Sequence, residues 1–305
     1  MTNKREHSTV LCYGGICIDN IIHIPYMPTP GVATTPTRQQ FQLGGGATLT
    51  AVWLASWDIS VKLTGNTIGT DAYGQQVLEW LNQYPTFSSS LIQQSDTVET
   101  PYTRALVPPN GDRYLIEFGY DTSPMHAVDD IPLDDIDILT VNFYYNNPER
   151  ESVKLATKAH ARGITVIASD ILDETNPIFA CSDILINSRA VMQKIHPDDD
   201  HIQYTINLQQ QHGGIVILTD GEHPVFAVDR DGSSFYTPVP SVPVHDTTGA
   251  GDAFRAGIVY GQIHQLPLQD SIRLATSAGA LQVMRDASTT PPASITKTRD
   301  FLNQP

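Results

Sequence analysis

Basic side chains are scarce. Only 18 Lys and Arg stand against 33 Asp and Glu in 305 residues, a formal charge of −15. A chain that neutralises nucleic-acid phosphates needs clustered cations, and here they are few and scattered, so neither nucleic acid nor an anionic membrane surface is an expected partner. Cysteine is scarcer still: three residues cannot form the disulfide framework of a small secreted domain, and they lack the paired spacing of a zinc site. Cys12 and Cys17 fall in one predicted strand over 9–18 at odd separation, so they face opposite ways and read as small core hydrophobes. No stretch reaches the roughly 18 consecutive apolar residues of a membrane span. The opening MTNKREHSTV leads into Leu11 without the apolar run and cleavage site of a signal peptide, so a cytoplasmic chain is expected. Two nucleotide signatures are also missing: there is no G-x-x-x-x-G-K-[ST], and no G-x-G-x-x-G follows the first strand.

What is present is material for a core. An apolar fraction of 40% with 17% charge places the chain among folded proteins rather than disordered ones. The 9–18 run is followed by a stretch broken by Pro25, Pro28, Pro30 and Pro36, which reads as an excursion. LGGGATLTAVWLASW then predicts a helix from Ala47 to Trp57, a strand at Val61–Thr64 and a helix near Tyr73–Leu81. Residues 100–120 look different, with two β-rich runs around Pro109-Asn110-Gly111-Asp112, a composition suited to a hairpin. With the 20–43 excursion they predict a small antiparallel appendage. Strands near 137–143, 164–169, 183–186 and 214–219 restore a β-α alternation, and apolar helices near Ala250–Ile263 and Leu268–Val283 close it. The expected fold is α/β: a mostly parallel central sheet with helices on both faces.

His245-Asp246-Thr247-Thr248-Gly249-Ala250-Gly251-Asp252-Ala253-Phe254 carries the most chemistry. Two glycines around one alanine at a helix start leave backbone N–H groups unblocked at the positive end of the helix dipole, where an anion is stabilised. Such donors suit the charge that develops on a transferring phosphoryl group, and Asp252 beside them could accept a proton from an attacking hydroxyl. The same residues also suit a plain helix start, with Asp252 an acid favoured by the dipole.

DTTGAGDAF at 246–254 resembles the C-terminal signature of the ribokinase-like (PfkB) carbohydrate kinases, D-T-x-G-A-G-D. Other landmarks keep that family's order: Gly14 through Asp19 at the end of the first strand, the Gly44-Gly45 pair opening a helix, and the turn from Gly65 to Gly74. The resemblance spans most of the chain as a single ribokinase-like domain, with 20–43 and 100–120 as the β-lid. It implies ATP-dependent transfer of the γ-phosphoryl group to a hydroxyl of a sugar or sugar derivative. Asp252 corresponds to the catalytic base, and Gly249, Ala250 and Gly251 to the anion hole. Asp19, Gly44 and Gly45 correspond to positions that hold substrate hydroxyls. Thr219 and Gly221 match a turn at the ATP phosphates, and Asn187 matches an asparagine near those phosphates and magnesium. The implied cofactors are ATP and Mg2+, with a monovalent cation such as K+ as an addition, and the lid implies a homodimer interface. Gly69-Thr70-Asp71 reads as structural, with Asp71 helping to set the lid.

Two positions depart from the family pattern. Leu49 stands where G-G-x-x-x-N-x-A has its asparagine, which leaves Thr48 or Thr50 to meet a substrate hydroxyl, and Ala190 replaces the acid of N-x-x-E. These departures keep two other readings in view, a nucleoside kinase on the same scaffold and a non-catalytic sugar- or nucleotide-sensing paralogue. Asn142, Phe143 and Tyr144 are a further candidate substrate contact at a strand end, and Phe143-Tyr144-Tyr145 reads as core. Arg255 is open between a phosphate contact and a surface charge. His196 to His201, with one proline and three acids between the two histidines, reads as a solvated segment leading into a helix rather than a metal cluster.

Overall fold

A computed structural model of the chain describes residues 8–109, 113–141, 149–172, 175–285 and 291–302. The expected turn residues 110–112 and the candidate contacts at 142–145 lie outside these. In chain order the elements are β1 (Thr9–Gly14), β2 (Cys17–His23), β3 (Arg38–Gly44), α1 (Gly46–Ala55), β4 (Ser60–Gly65), β5 (Ile68–Gly69) and α2 (Ala72–Leu81). Next come β6 (Phe87–Ser88), β7 (Gln94–Ser95), β8 (Tyr102–Val107), β9 (Tyr114–Phe118), β10 (Ile138–Val141), α3 (Glu149–His160), β11 (Thr165–Ser169), α4 (Pro177–Cys181) and β12 (Ile184–Ser188). The chain continues through α5 (Arg189–Ile195), α6 (His201–His212), β13 (Ile215–Asp220), β14 (His223–Val228), β15 (Ser234–Thr237), α7 (Ala250–Ile263), α8 (Leu268–Val283) and α9 (Ile295–Leu302).

The large sheet runs β15-β14-β13-β12-β11-β10-β1-β4-β6, parallel from β13 to β6 and antiparallel at β14 and β15. Its strands are apolar on both faces because both are covered. Val10 and Cys12 pack with Ile184 and Ile217 against α1, α7 and α8, whereas Leu11 and Tyr13 pack with Leu185 and Val216 against α3 and α6. The β14–β15 extension was not anticipated.

The small sheet, β3-β2-β8-β9, holds both expected excursions. Its two antiparallel pairs, β2–β3 and β8–β9, are joined side by side by the parallel β2–β8 pairing. Asp71 caps α2 through the Gly74 amide at 2.8 Å and also accepts from the backbone and hydroxyl of Thr100, two residues before β8, so it does set where the lid begins.

The single strand expected over 9–18 is two strands in two sheets. Asn66 makes the break: its Oδ1 accepts from Ile16 N at 2.7 Å and its Nδ2 donates to Ile16 O at 3.0 Å, satisfying the backbone where the sheet neighbour is lost. Cys12 and Cys17 therefore sit in different sheets. Both are buried free thiols, and burial pushes the Cys12 thiol up to about 12, which makes it a packing residue. The 196–201 segment leads into a helix as expected, with Asp200 capping α6, but His201 is buried, its Nε2 2.9 Å from His196 O. Among the described residues no helix is long and apolar enough to cross a membrane.

Candidate active site

The site forms where the lid meets the C-terminal ends of the parallel strands, the general ligand position of open α/β sheets. Its centre is the start of α7. Gly249 is the N-cap in the left-handed region, φ 78°, with no side-chain cap, and Asp252 is the acid of the first turn. A Cβ at Gly249 would stand 3.2 Å from Gln282 Nε2 and 3.3 Å from Leu49 Cδ1, so both conformation and space call for glycine. Gly251 faces open space. Ala250 is less available than expected, because its N–H donates to Thr247 O at 3.3 Å.

Asp252 does not stand alone. Arg255, one turn along the same helix and 6% exposed, donates Nη1 to Asp252 Oδ1 at 3.0 Å and to Thr50 Oγ1 at 2.9 Å, and Nε to Ser169 Oγ at 2.8 Å. This overturns Arg255 as a surface charge. Buried on three fixed acceptors, it holds the Asp252 carboxylate in place.

On the lid side, Asp19 lies in β2 and not at the end of the first core strand, and it lines a cavity of about 480 Å³ with Arg38, Arg113, Thr103, Asp246 and Thr248. Burial raises its carboxyl from 3.8 to about 7, against the lowering influence of a Gln42 hydrogen bond and Arg113. A Cβ at Gly44 would fall 2.5 Å from Asp19 Oδ1, so the glycine makes room for that carboxylate. Gly45 follows as the N-cap of α1. Arg113, just before β9, forms an ion pair with Asp246 and donates to Thr247 Oγ1 at 3.1 Å, tying the lid to the α7 loop.

Thr48 does not join these groups. It is fully buried and its hydroxyl donates to Gly15 O at 2.9 Å. Its expected substrate contact is therefore corrected to a structural one that pins α1 against the β1–β2 crossover. Thr50 is likewise committed, to Gly46 O and Arg255.

On the far side of Asp252 two further cavities meet. One is lined by Asp170, Ser188, Arg189, Thr219, Gly221, Gly251, Asp252 and Arg255. The other, about 590 Å³, has apolar walls from Val225, Val239, Val242, Phe254, Ala280 and Val283, and shares Thr219, Gly221 and Gly251 with the first. Asn187 is 1% exposed and stands behind this wall. Its Nδ2 donates to Ile171 O at 3.3 Å, and its backbone carbonyl accepts from Thr219 Oγ1. The lining is instead Ser188 and Arg189, the latter paired with Asp220 at 2.7 Å. Asp170 was missed by the sequence reading, although a carboxylate directly after a buried parallel strand was the available signal. Its φ is 55°, it accepts from Ser188 N at 3.0 Å, and burial raises its carboxyl.

A sheet-end cavity, a lid and a glycine-rich helix start with a carboxylate beside it are features that suit a small-molecule phosphotransferase. The family model for pfkB carbohydrate kinases matches residues 8–295, and the chain belongs to that family. It is a phosphotransferase with a sugar hydroxyl as acceptor. An uncharacterized sugar kinase of Dictyostelium discoideum is 23% identical over 347 residues, covering 96% of this chain and 97% of that protein. Among solved structures, the Arabidopsis thaliana ribokinase complexed with ribose and ATP superposes with a TM-score of 0.83 at 18% identity, covering 99% and 100% of the two chains. The Methanocaldococcus jannaschii nucleoside kinase reaches 0.80 at 17%, covering 98% and 99%. At such identities the structural likeness speaks for the fold alone.

Proposed function

We propose that this chain transfers the γ-phosphoryl group of ATP to a hydroxyl of a sugar or sugar derivative seated between Asp19 and Asp252. The observation that carries the reading is Asp252 itself, held by buried Arg255 at the mouth of the amide-rich start of α7. The acceptor lies in the lid-side cavity, where ionised Asp19 accepts from its hydroxyls. Asp252 takes the proton of the attacking hydroxyl. The N–H groups of Gly249 and Gly251 and the α7 dipole hold the transferring group, fixed before the reaction begins. The apolar cavity takes the base of the nucleotide, and Thr219 and Gly221 border its phosphates. Ala190 supplies no acid, but Asp170 lines the same cavity. A carboxylate beside phosphate oxygens and water forms a donor set that magnesium accepts, so Asp170 is the residue that would hold it. Magnesium would supply charge neutralisation on the phosphate oxygens. Closure of the lid through Arg113 excludes water.

The lid also carries the proposed homodimer contact. Tyr114, Leu115 and Ile116 on the edge strand β9 are 44%, 59% and 47% exposed, an apolar edge that a second copy would cover.

The decisive experiment measures ADP release and phosphorylated product with magnesium and ATP across pentoses, ketohexoses, sugar acids, sugar phosphates and nucleosides, with Asp252→Asn in parallel. A hit whose kcat falls about 10²- to 10⁴-fold in Asp252→Asn is expected. Wild-type turnover in that variant would remove Asp252 as the base, and nucleoside turnover exceeding all sugars would move the chain to the nucleoside kinases.

A further inference from the structure

The loop that leads into the start of α7 is held from α8 as well as by Arg113 from the lid. Val283 O, at the end of α8, accepts from His245 N at 2.8 Å and from Asp246 N at 3.2 Å, and the neighbouring Gln282 side chain donates Nε2 to Thr248 O at 2.8 Å. Gln282 is 4% exposed, and its carboxamide has one possible orientation. Trp53 Nε1–H, which can only donate, meets Gln282 Oε1 at 3.1 Å, and Arg285 Nη1 donates to the same oxygen at 2.5 Å. The amide nitrogen is thereby left to Thr248.

The consequence follows from peptide geometry. The Thr248 carbonyl and the Gly249 N–H belong to one planar trans peptide unit and point in opposite directions, so a bond that fixes the first fixes the second. Gly249 needs that restraint. In the left-handed region and with no side-chain cap, it has no side chain to limit rotation of the unit.

We propose that Gln282 is a positioning residue for phosphoryl transfer: held by Trp53 and Arg285, it sets the Thr248–Gly249 peptide plane and so aims the Gly249 N–H at the transferring phosphoryl group. The inference rests on the kinase reading and adds a residue far from the signature in sequence. Donors aimed in advance stabilise charge that appears only in the transition state, so loss of aim lowers kcat rather than binding.

Gln282→Glu isolates the bond. A carboxylate still accepts from Trp53 and Arg285 but cannot donate to Thr248 O. The expected result is a kcat lowered about tenfold to a hundredfold, below the loss of an entire oxyanion donor, with KM for acceptor and ATP within about twofold. ADP affinity stays constant by calorimetry, while ADP with aluminium fluoride and acceptor, a mimic of the transferring group, binds more weakly. Trp53→Phe keeps the ring and removes its N–H. It lowers the same parameter by less, and its effect in combination with Gln282→Glu falls short of the sum of the two. Unchanged kcat and unchanged aluminium fluoride affinity in a folded Gln282→Glu protein overturn the inference, as does a loss confined to KM or to melting temperature. If that variant does not fold, unchanged kcat in Trp53→Phe overturns it. Wild-type protein without Asp252-dependent transfer would instead overturn the kinase reading beneath it.

Discussion

The two ends of the site are built differently. The proposed phosphoryl end is the start of one helix, with Gly249, Gly251 and Asp252 inside four consecutive residues. The proposed acceptor end is made of side chains from separate elements: Asp19 on β2, Arg38 on β3, Arg113 before β9 and Asp246 in the α7 loop. The first end depends on conformation, which a short motif can encode. The second depends on two sheets meeting. An enzyme made this way can keep its chemistry while its acceptor changes; this chain's departure at Leu49 lies beside Gly249, in a cavity it lines with Thr248 and Gln282.

Breaking the conformational end should cost most. Gly249→Ala places a methyl between Gln282 and Leu49 in a left-handed position, and we expect kcat to fall about tenfold to a hundredfold with modest change in KM. Equal kcat would mean that the turn does not hold the transferring group.

The acceptor end should answer in KM and in pH. Asp19 ionises near 7, so its acceptor strength grows as pH rises through that value and KM for the sugar falls between pH 6 and 8. Asp19→Asn should raise KM about tenfold at pH 8, the scale of one charge-assisted hydrogen bond, and flatten the profile. Stability runs the other way. Between the ordinary carboxyl value of 3.8 and about 7 the folded chain keeps a proton that the unfolded chain has lost. That contribution is whole below the lower value and gone above the upper one. Denaturation of wild type and Asp19→Asn at pH 4 and pH 8 checks the sign: the variant gains on the wild type at pH 8.

A smaller effect is expected where the two ends touch. Arg113→Gln removes the ion pair with Asp246. Both side chains keep some solvent exposure, 31% and 18%, so salt already weakens the contact, and acceptor KM should rise only a few-fold at low ionic strength and less at high. Steady-state kinetics at two salt concentrations decide it.

Thr48→Val should leave the kinetics alone. It deprives the buried Gly15 carbonyl of its donor and should lower stability by about 1–3 kcal/mol, read by urea denaturation. A rise in acceptor KM would return Thr48 to the substrate site.

Much of this was legible in the linear chain. The α7 and α8 bounds match the expected helices, and the parallel strands fall where their apolar runs lie, because strand burial on both faces writes itself into composition. The break after Gly14 was not legible: STVLCYGGIC reads as one strand until Asn66, fifty residues on, takes the Ile16 backbone. Arg255 carried a usable signal, one helical turn from Asp252. Arg113 and Gln282 carried none, since nothing local distinguishes them from other polar residues in a hairpin or a helix.

The sequence by itself determined the α/β layering through its apolar runs, and, through the resemblance of residues 246–254 to a family signature, the family and its phosphotransferase class, because runs and short motifs are properties of neighbouring residues. The tertiary structure decided how that chemistry is held. Thr48 turned inward to Gly15, Asn187 went behind the cavity wall, and Gln282 came 34 residues down the chain to Thr248. Such contacts depend on the packing of α1, α8 and the lid around the sheet, and packing brings together residues whose separation in sequence carries no sign of it.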